Sequence, residues 1–271
     1  MYHRPKKSLG QHFLFDKKII NRIIDAAKVQ PQDTVIEIGP GLGVMTRMIG
    51  ERARKVIAIE IDKSLCDSLK RDLSGQTNIE IFNTDALDYP YESVENGFKV
   101  IANIPYNITT PILFRLMKVR EKIEGMTLMV QKEVAERIIA HPGGKDYGIL
   151  SIAIQYYSVP EIVFIVPRGA FRPTPKVESA LLHIETLEMP KIKVKDEAFF
   201  FRVVKTSFSQ RRKTLQNCLK QLGLKKEHLE RAFTSLHIEP KRRAETLSIE
   251  EFGLLSDSLT KKTQNYGLTK H

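Results

Sequence analysis

Five short apolar runs, at residues 34–38, 55–61, 78–83, 99–102 and 126–130, alternate with stretches of helical apolar spacing at 44–51, 63–73 and 111–118. Strand-length runs that stay apolar at successive residues must be buried on both faces, and the intervening helices are what cover them. The pattern predicts an α/β fold of Rossmann-like kind, a mostly parallel sheet with helices on both sides. Ahead of it, Ile19, Ile20, Ile23, Ile24 and Ala27 make the stripe of an amphipathic helix that Asp16 is placed to cap, so residues 1–15 read as a basic arm. Runs at 150–157, 161–167 and 177–184 read as an antiparallel edge added to the sheet.

After Leu187 the pattern changes. Residues 188–191 (Glu-Met-Pro-Lys) read as a linker, and helical spacing recurs at 199–204, 214–222, 228–233 and 249–259. The expected organisation is an arm (1–15), an α/β domain (16–187) and a small helical domain (191–271). Charge follows this division: residues 191–271 hold 18 Lys/Arg against 9 Asp/Glu, so +9 of the net +11 lies there. Basic charge concentrated in one segment, with no strongly apolar face beside it, points to nucleic acid rather than to a membrane surface. No apolar run approaches the ~18 residues that span a bilayer, and the arm lacks the apolar core of a secretory signal. A cytoplasmic protein is the resulting expectation. Cys66 and Cys218 stand far apart without neighbours at metal spacing, so neither a disulfide framework nor a metal site is indicated.

The strongest local signal is Glu37-Ile38-Gly39-Pro40-Gly41-Leu42-Gly43, at the end of the first expected strand. Glycines suit a sharp turn where backbone meets a ligand. The second strand ends at Glu60, 21 residues after Gly39, where doubly wound folds place a carboxylate against ribose hydroxyls. Asp85 follows the third strand and can accept from an adenine amino group; Asp62 and Asp88 read as helix caps or loop residues. A nicotinamide dinucleotide would use Glu60 as well, but its G-x-G-x-x-G fingerprint fails at Val44. The G-x-G-x-G spacing favours S-adenosylmethionine (SAM), which has no pyrophosphate to seat.

The fourth strand runs into Asn103-Ile104-Pro105-Tyr106. An exocyclic adenine amine is a poor nucleophile because its lone pair is delocalised. The Asn103 amide oxygen and a nearby carbonyl, that of Ile104, could each accept one N–H and hold the lone pair toward a methyl donor. Pro105 stiffens the turn, and Tyr106 offers a face for an unstacked base. No strong general base is needed, since the nitrogen sheds its proton readily once alkylated.

With these residues in place the chain resembles the KsgA-type rRNA adenine dimethyltransferase family over essentially its whole length. The resemblance also rests on residues 7–14 (Lys-Ser-Leu-Gly-Gln-His-Phe-Leu), on 171–179 (Phe-Arg-Pro-Thr-Pro-Lys-Val-Glu-Ser) and on 208–215 (Phe-Ser-Gln-Arg-Arg-Lys-Thr-Leu). It implies SAM as cofactor and S-adenosylhomocysteine as product, with no metal. The implied cofactor set is His12, Leu14, Gly39, Gly41, Glu60, Ile61, Asp85, Ala86 and Asn103, with Asn103, Pro105 and Tyr106 at the chemistry. Residues alone would make His12 a polar loop residue and Leu14 a core anchor. Phe171 reads either as part of a rigid connector or as a wall of the target-base pocket, and the pocket is favoured. Arg211, Arg212 and Lys213, with a second cluster at Lys241, Arg242 and Arg243, are the expected rRNA contacts.

The function implied is transfer of four methyl groups to two adjacent adenosines near the 3′ end of small-subunit (16S) rRNA, by a monomer, within an assembling ribosomal subunit. Ile104 stands where the small-subunit enzymes usually have Leu, and related large-subunit enzymes conferring macrolide resistance often carry Ile. That activity, and a mainly non-catalytic role as an RNA-binding assembly factor, are the alternatives.

Overall fold

The computed structural model describes residues 5, 6 and 9–260. Residues 1–4 of the basic arm, Lys7 and Ser8 of the matching N-terminal segment, and the tail 261–271 with Lys261, Lys262 and Lys270 lie outside the described residues. The chain divides into two compact units, Met1–Ile139 with Tyr157–Met189, and Ala140–Tyr156 with Pro190–His271.

In the first unit, in chain order, lie β1 (Phe13–Leu14), α1 (Lys17–Ala26), β2 (Thr34–Ile38), α2 (Val44–Gly50), β3 (Lys55–Glu60), α3 (Lys63–Asp72) and β4 (Ile79–Asn83). They are followed by β5 (Phe98–Asn103), α4 (Thr109–Met117), β6 (Ile123–Gln131), α5 (Lys132–Ile139), β7 (Ser158–Val166), β8 (Phe171–Arg172) and β9 (Ser179–Thr186). The main sheet has the order β4-β3-β2-β5-β6-β9-β7. β2 to β6 pair in parallel, whereas β9 runs antiparallel to β6 and β7. Every residue of β2 is buried, as is nearly all of β3 and β5, so both faces of the central sheet are covered. On edge strand β7 burial alternates with exposure, and one face meets solvent.

The strand order reverses between β2, which leads on to β3, and β5, which leads on to β6. At such a switch point the two connections leave in opposite directions and open a crevice at the carboxyl ends of the strands. α1 helps fix this edge. Asp16 caps it by accepting from the amides of Lys18 and Ile19, and its four isoleucines join Val35, Met45, Ile49 and Phe171 in one core cluster. Truncating one of them, such as Ile20, to Ala would cost about 2–5 kcal/mol.

The run at 150–157 is not an edge strand. Residues Ile149–Gln155 form helix α6, which belongs with the second unit, so the α/β domain is interrupted at 140–156 rather than continuous from 16 to 187. Leu150 to Gln155 are all buried, and a segment buried all round carries no periodicity to separate helix from strand. The local start signal is small: Ser151 Oγ accepts from the Gly148 amide at 3.0 Å.

With α6, the second unit contains α7 (Glu197–Ser207), α8 (Leu215–Leu219), α9 (Lys226–Ser235) and α10 (Ile249–Leu259). Asp196 caps α7, and Ser248 with Glu251 forms a reciprocal capping box on α10. Phe200 and Phe252 are fully buried. Among the described residues no helix is long and apolar enough to cross a membrane.

Candidate active site

A crevice of the first unit opens at the switch point. Its lining comes from the ends of β2 to β5 and from arm residues Leu9 to Phe13. Gly39, Gly41, Glu60, Ile61, Asp85, Ala86, Asn103, Pro105 and Tyr106 all line it, as does His12. The expected residues, far apart in sequence, are thus brought together.

Gly41 has φ +57°, and a Cβ there would lie 2.9 Å from the Phe13 ring of the arm. Gly43, at φ +75°, packs against α3, where a Cβ would fall 2.4 Å from Leu69 Cδ2. The third glycine therefore serves helix packing. The Glu60 carboxylate is held from below: the Gly41 amide donates to Oε2 at 3.3 Å and the Asp62 amide to Oε1 at 2.9 Å. Burial raises the Glu60 pKa above the ordinary range, partly offset by these amides. Asp85, two residues past β4, accepts from the Leu87 amide at 2.8 Å and keeps its position at the rim.

Asn103 Nδ2 donates to the His12 carbonyl at 2.9 Å. A carbonyl can only accept, so the amide nitrogen faces the arm and the amide oxygen remains as an acceptor at the crevice. The Tyr106 hydroxyl meets Ser179 Oγ at 2.7 Å, and the His12 ring stacks on Tyr106 at 5.7 Å and 26°. His12 Nδ1 meets the Pro173 carbonyl at 2.7 Å, which requires the proton on Nδ1. The arm is also knitted in by pairing of β1 with β8. His12 therefore contributes both its backbone and its ring to the site.

Two expected residues stand apart. Leu14 lies beside a smaller, adjoining cleft and packs on the core cluster, as its apolar character alone suggests. Phe171 is 1% exposed and belongs to that core, so it is no wall of the crevice. Its strand, β8, pairs with β1, which turns the ring inward; the Phe171–Ser179 segment meets the site through Pro173 and Ser179 instead.

Sequence reasoning passed over Glu37 as a site residue. It is wholly buried, neither carboxyl oxygen has a hydrogen-bond partner, and its pKa is raised to about 8. Burial is the main cause, opposed by the adjacent Thr46 hydroxyl and reinforced by the Glu60 charge. At neutral pH it is an uncharged acid beside the glycine loop. Period-2 burial gives no signal for it, because both faces of β2 are covered.

The crevice suits a nucleoside with a cationic tail: a braced carboxylate for the ribose, a second acid at the rim, close backbone approach at the glycines and a free amide oxygen. The family model described as ribosomal RNA adenine dimethylase matches residues 2–261. The chain belongs to this family. Among its relatives, the ribosomal RNA small subunit methyltransferase A of Bacillus cytotoxicus is 48% identical over 265 residues, covering 94% of this chain and 91% of that protein. The protein of the same description from Moorella thermoacetica is 46% identical over 266 residues, covering 94% and 92%. Among solved structures, a dimethyladenosine transferase from Plasmodium falciparum superposes with TM-score 0.79 at 29% identity, covering 90% of this chain and 96% of that one. The 23S rRNA methyltransferase ErmE gives TM-score 0.72 at 30% identity, covering 91% and 99%. As a member of the rRNA adenine dimethylases the chain is a SAM-dependent methyltransferase.

In the second unit, Arg211, Arg212 and Lys213 are exposed in the turn before α8, and Arg211 donates to the Lys145 carbonyl. Arg242 differs from the cation expected there: it is committed to a two-pronged pair with Glu251 and to the Thr246 carbonyl. It fastens α10 and is not available to a phosphate as it stands.

Proposed function

We propose that this adenine dimethylase acts, as a cytoplasmic monomer, on small-subunit rRNA within an assembling subunit. Two adjacent adenosines near the 3′ end each receive two methyl groups. The single observation that carries the reading is the Asn103 amide, whose nitrogen is spent on the His12 carbonyl so that its oxygen is left to accept from an exocyclic amine.

SAM, when bound, supplies an electrophilic methyl on a sulfonium. Glu60 accepts from the ribose hydroxyls, Asp85 accepts from the adenine amino group, and the glycine loop admits the methionine portion. Asn103 Oδ1 and the Ile104 carbonyl each accept one N–H of the target amine, aiming its lone pair at the methyl. The second transfer to the same nitrogen has one N–H fewer to hold. Tyr106, its hydroxyl pinned by Ser179, offers a ring of fixed orientation to the extruded base. The exposed cations of the second unit, Arg212 and Lys213 first, suit rRNA phosphates.

The second reading, methylation of large-subunit rRNA, is favoured by Ile104 and by the similarity to ErmE. Unmethylated small and large subunits incubated with the protein and methyl-labelled SAM, followed by mass spectrometry of rRNA fragments, separate the two. Paired dimethyladenosines in small-subunit rRNA are expected; label confined to the large subunit would overturn the proposal.

A further inference from the structure

Asp62 reads from sequence as a helix cap, and it does accept from the Ser64 amide at 3.0 Å at the start of α3. Its carboxylate also does something a cap does not require. It accepts from Lys6 Nζ at 2.7 Å and from Gln11 Nε2 at 3.2 Å, both on the N-terminal arm and more than fifty residues away in sequence. The side chain is 0% exposed, whereas that of Lys6 is 49% exposed. Gln11 Oε1 in turn accepts from the Lys6 amide at 2.7 Å, so the two arm residues brace each other. These bonds hold the Asp62 carboxyl well below the usual range despite its burial.

The position of this contact gives it a consequence. Arm residues 9–13 form one wall of the cofactor crevice, and Glu60, braced by the Asp62 amide, stands on another. One residue therefore orients the ribose-reading carboxylate through its backbone and clamps the arm through its side chain. We propose that Asp62 is a positioning residue that latches the arm over the cofactor crevice, and that release of the Lys6/Gln11–Asp62 latch governs how fast S-adenosylhomocysteine leaves between successive transfers. The inference rests on the assignment of the crevice to SAM. Four transfers per rRNA demand product exchange after each. The wall is also held by β1–β8 pairing and by the bonds of His12 with Asn103 and Pro173. The Lys6/Gln11–Asp62 bonds are the charge-assisted part of that hold, whose release leaves the main sheet undisturbed. Binding a ligand beneath the closed wall and closing the wall are linked: what weakens closure lowers the closed fraction, and apparent affinity falls with that fraction.

Lys6 offers the test because its side chain lies outside the crevice lining. In the full chain, Lys6→Ala should raise the S-adenosylhomocysteine dissociation rate, read by stopped-flow displacement, by ~5-fold, the equivalent of roughly 1 kcal/mol. Lys6→Arg should restore most of it. Hydrogen exchange at residues 9–13 should quicken in Lys6→Ala, a change that altered chemistry alone would not produce. Asp62→Asn, which keeps an oxygen for the Ser64 cap, should act in the same direction. Unaltered dissociation and arm exchange in both Lys6→Ala and a folded Asp62→Asn would overturn the latch. Failure of the wild-type protein to bind S-adenosylhomocysteine in calorimetry would instead overturn the cofactor assignment beneath it.

Discussion

The two units of this adenine dimethylase use polar residues in opposite ways. In the α/β unit, which carries little net charge, a few side chains are fixed by strand ends, buried, and held by specific partners: Glu60 by two amides, Asn103 by the arm, Tyr106 by Ser179. In the helical unit the excess of cations sits on the surface, where Arg212 and Lys213 are exposed in a turn. Under the proposed function the difference is that between chemistry and grip. A methyl transfer depends on the position of single atoms, whereas attraction to a polyanion depends on summed charge and tolerates mobile side chains. Substitutions in the first unit should therefore give large, specific losses, and those in the second small, salt-dependent ones.

The largest of these losses, short of removing Asn103, is expected at the ribose carboxylate. Glu60→Ala should weaken SAM binding by about 1–3 kcal/mol, since charge-assisted bonds to two hydroxyls go with it. Calorimetry reads this directly; equal affinities would mean that the crevice does not use its braced acid.

Glu37→Gln probes the same unit through stability. A carboxyl with pKa about 8 when folded and about 4.5 when unfolded binds more protons in the folded state between those values. The contribution of this group is thus fullest below pH 4.5 and declines as pH rises toward 8, by at most ~1.4 kcal/mol per pH unit. Glutamine has no proton to lose. Denaturant melts at pH 5 and pH 8 should show a smaller decline in the variant, and parallel declines would refute the uncharged acid.

The smallest effects belong to the second unit, and they sharpen the contrast inside it. Arg212→Ala with Lys213→Ala should leave SAM affinity intact and flatten the slope of log rRNA affinity against log salt, by roughly 0.7 to 0.9 for each phosphate that is no longer neutralised. Arg242→Ala should instead lower thermal stability by releasing the α10 fastening, with little change in that slope. Filter binding and melting on both variants would contradict the division if the two exchanged phenotypes.

Much of this was legible in the chain. The alternation of apolar runs and helices announced the parallel sheet, and the glycine loop, Glu60, Asp85 and Asn103 marked the strand ends that line the crevice. What stayed hidden depended on long-range partners. Residues Leu150–Gln155 carry no period because they are buried all round; Phe171 has the composition of a base platform yet faces the core once β8 pairs with β1. Arg242 looks like its neighbour Arg243 until Glu251, nine residues on, claims it. Asp62 shows its cap in the sequence but not its hold on Lys6.

Catalysis, on this view, resides in the aimed oxygen of Asn103 and not in the grip on rRNA. Single-turnover methyl transfer to unmethylated small subunits, at saturating SAM and saturating enzyme, tests it with Asn103→Ala. The expected result is a rate reduced by on the order of 100-fold or more, with rRNA affinity close to wild type, because the missing hydrogen bond is felt mainly in the transition state. A wild-type rate from a folded Asn103→Ala protein would contradict it.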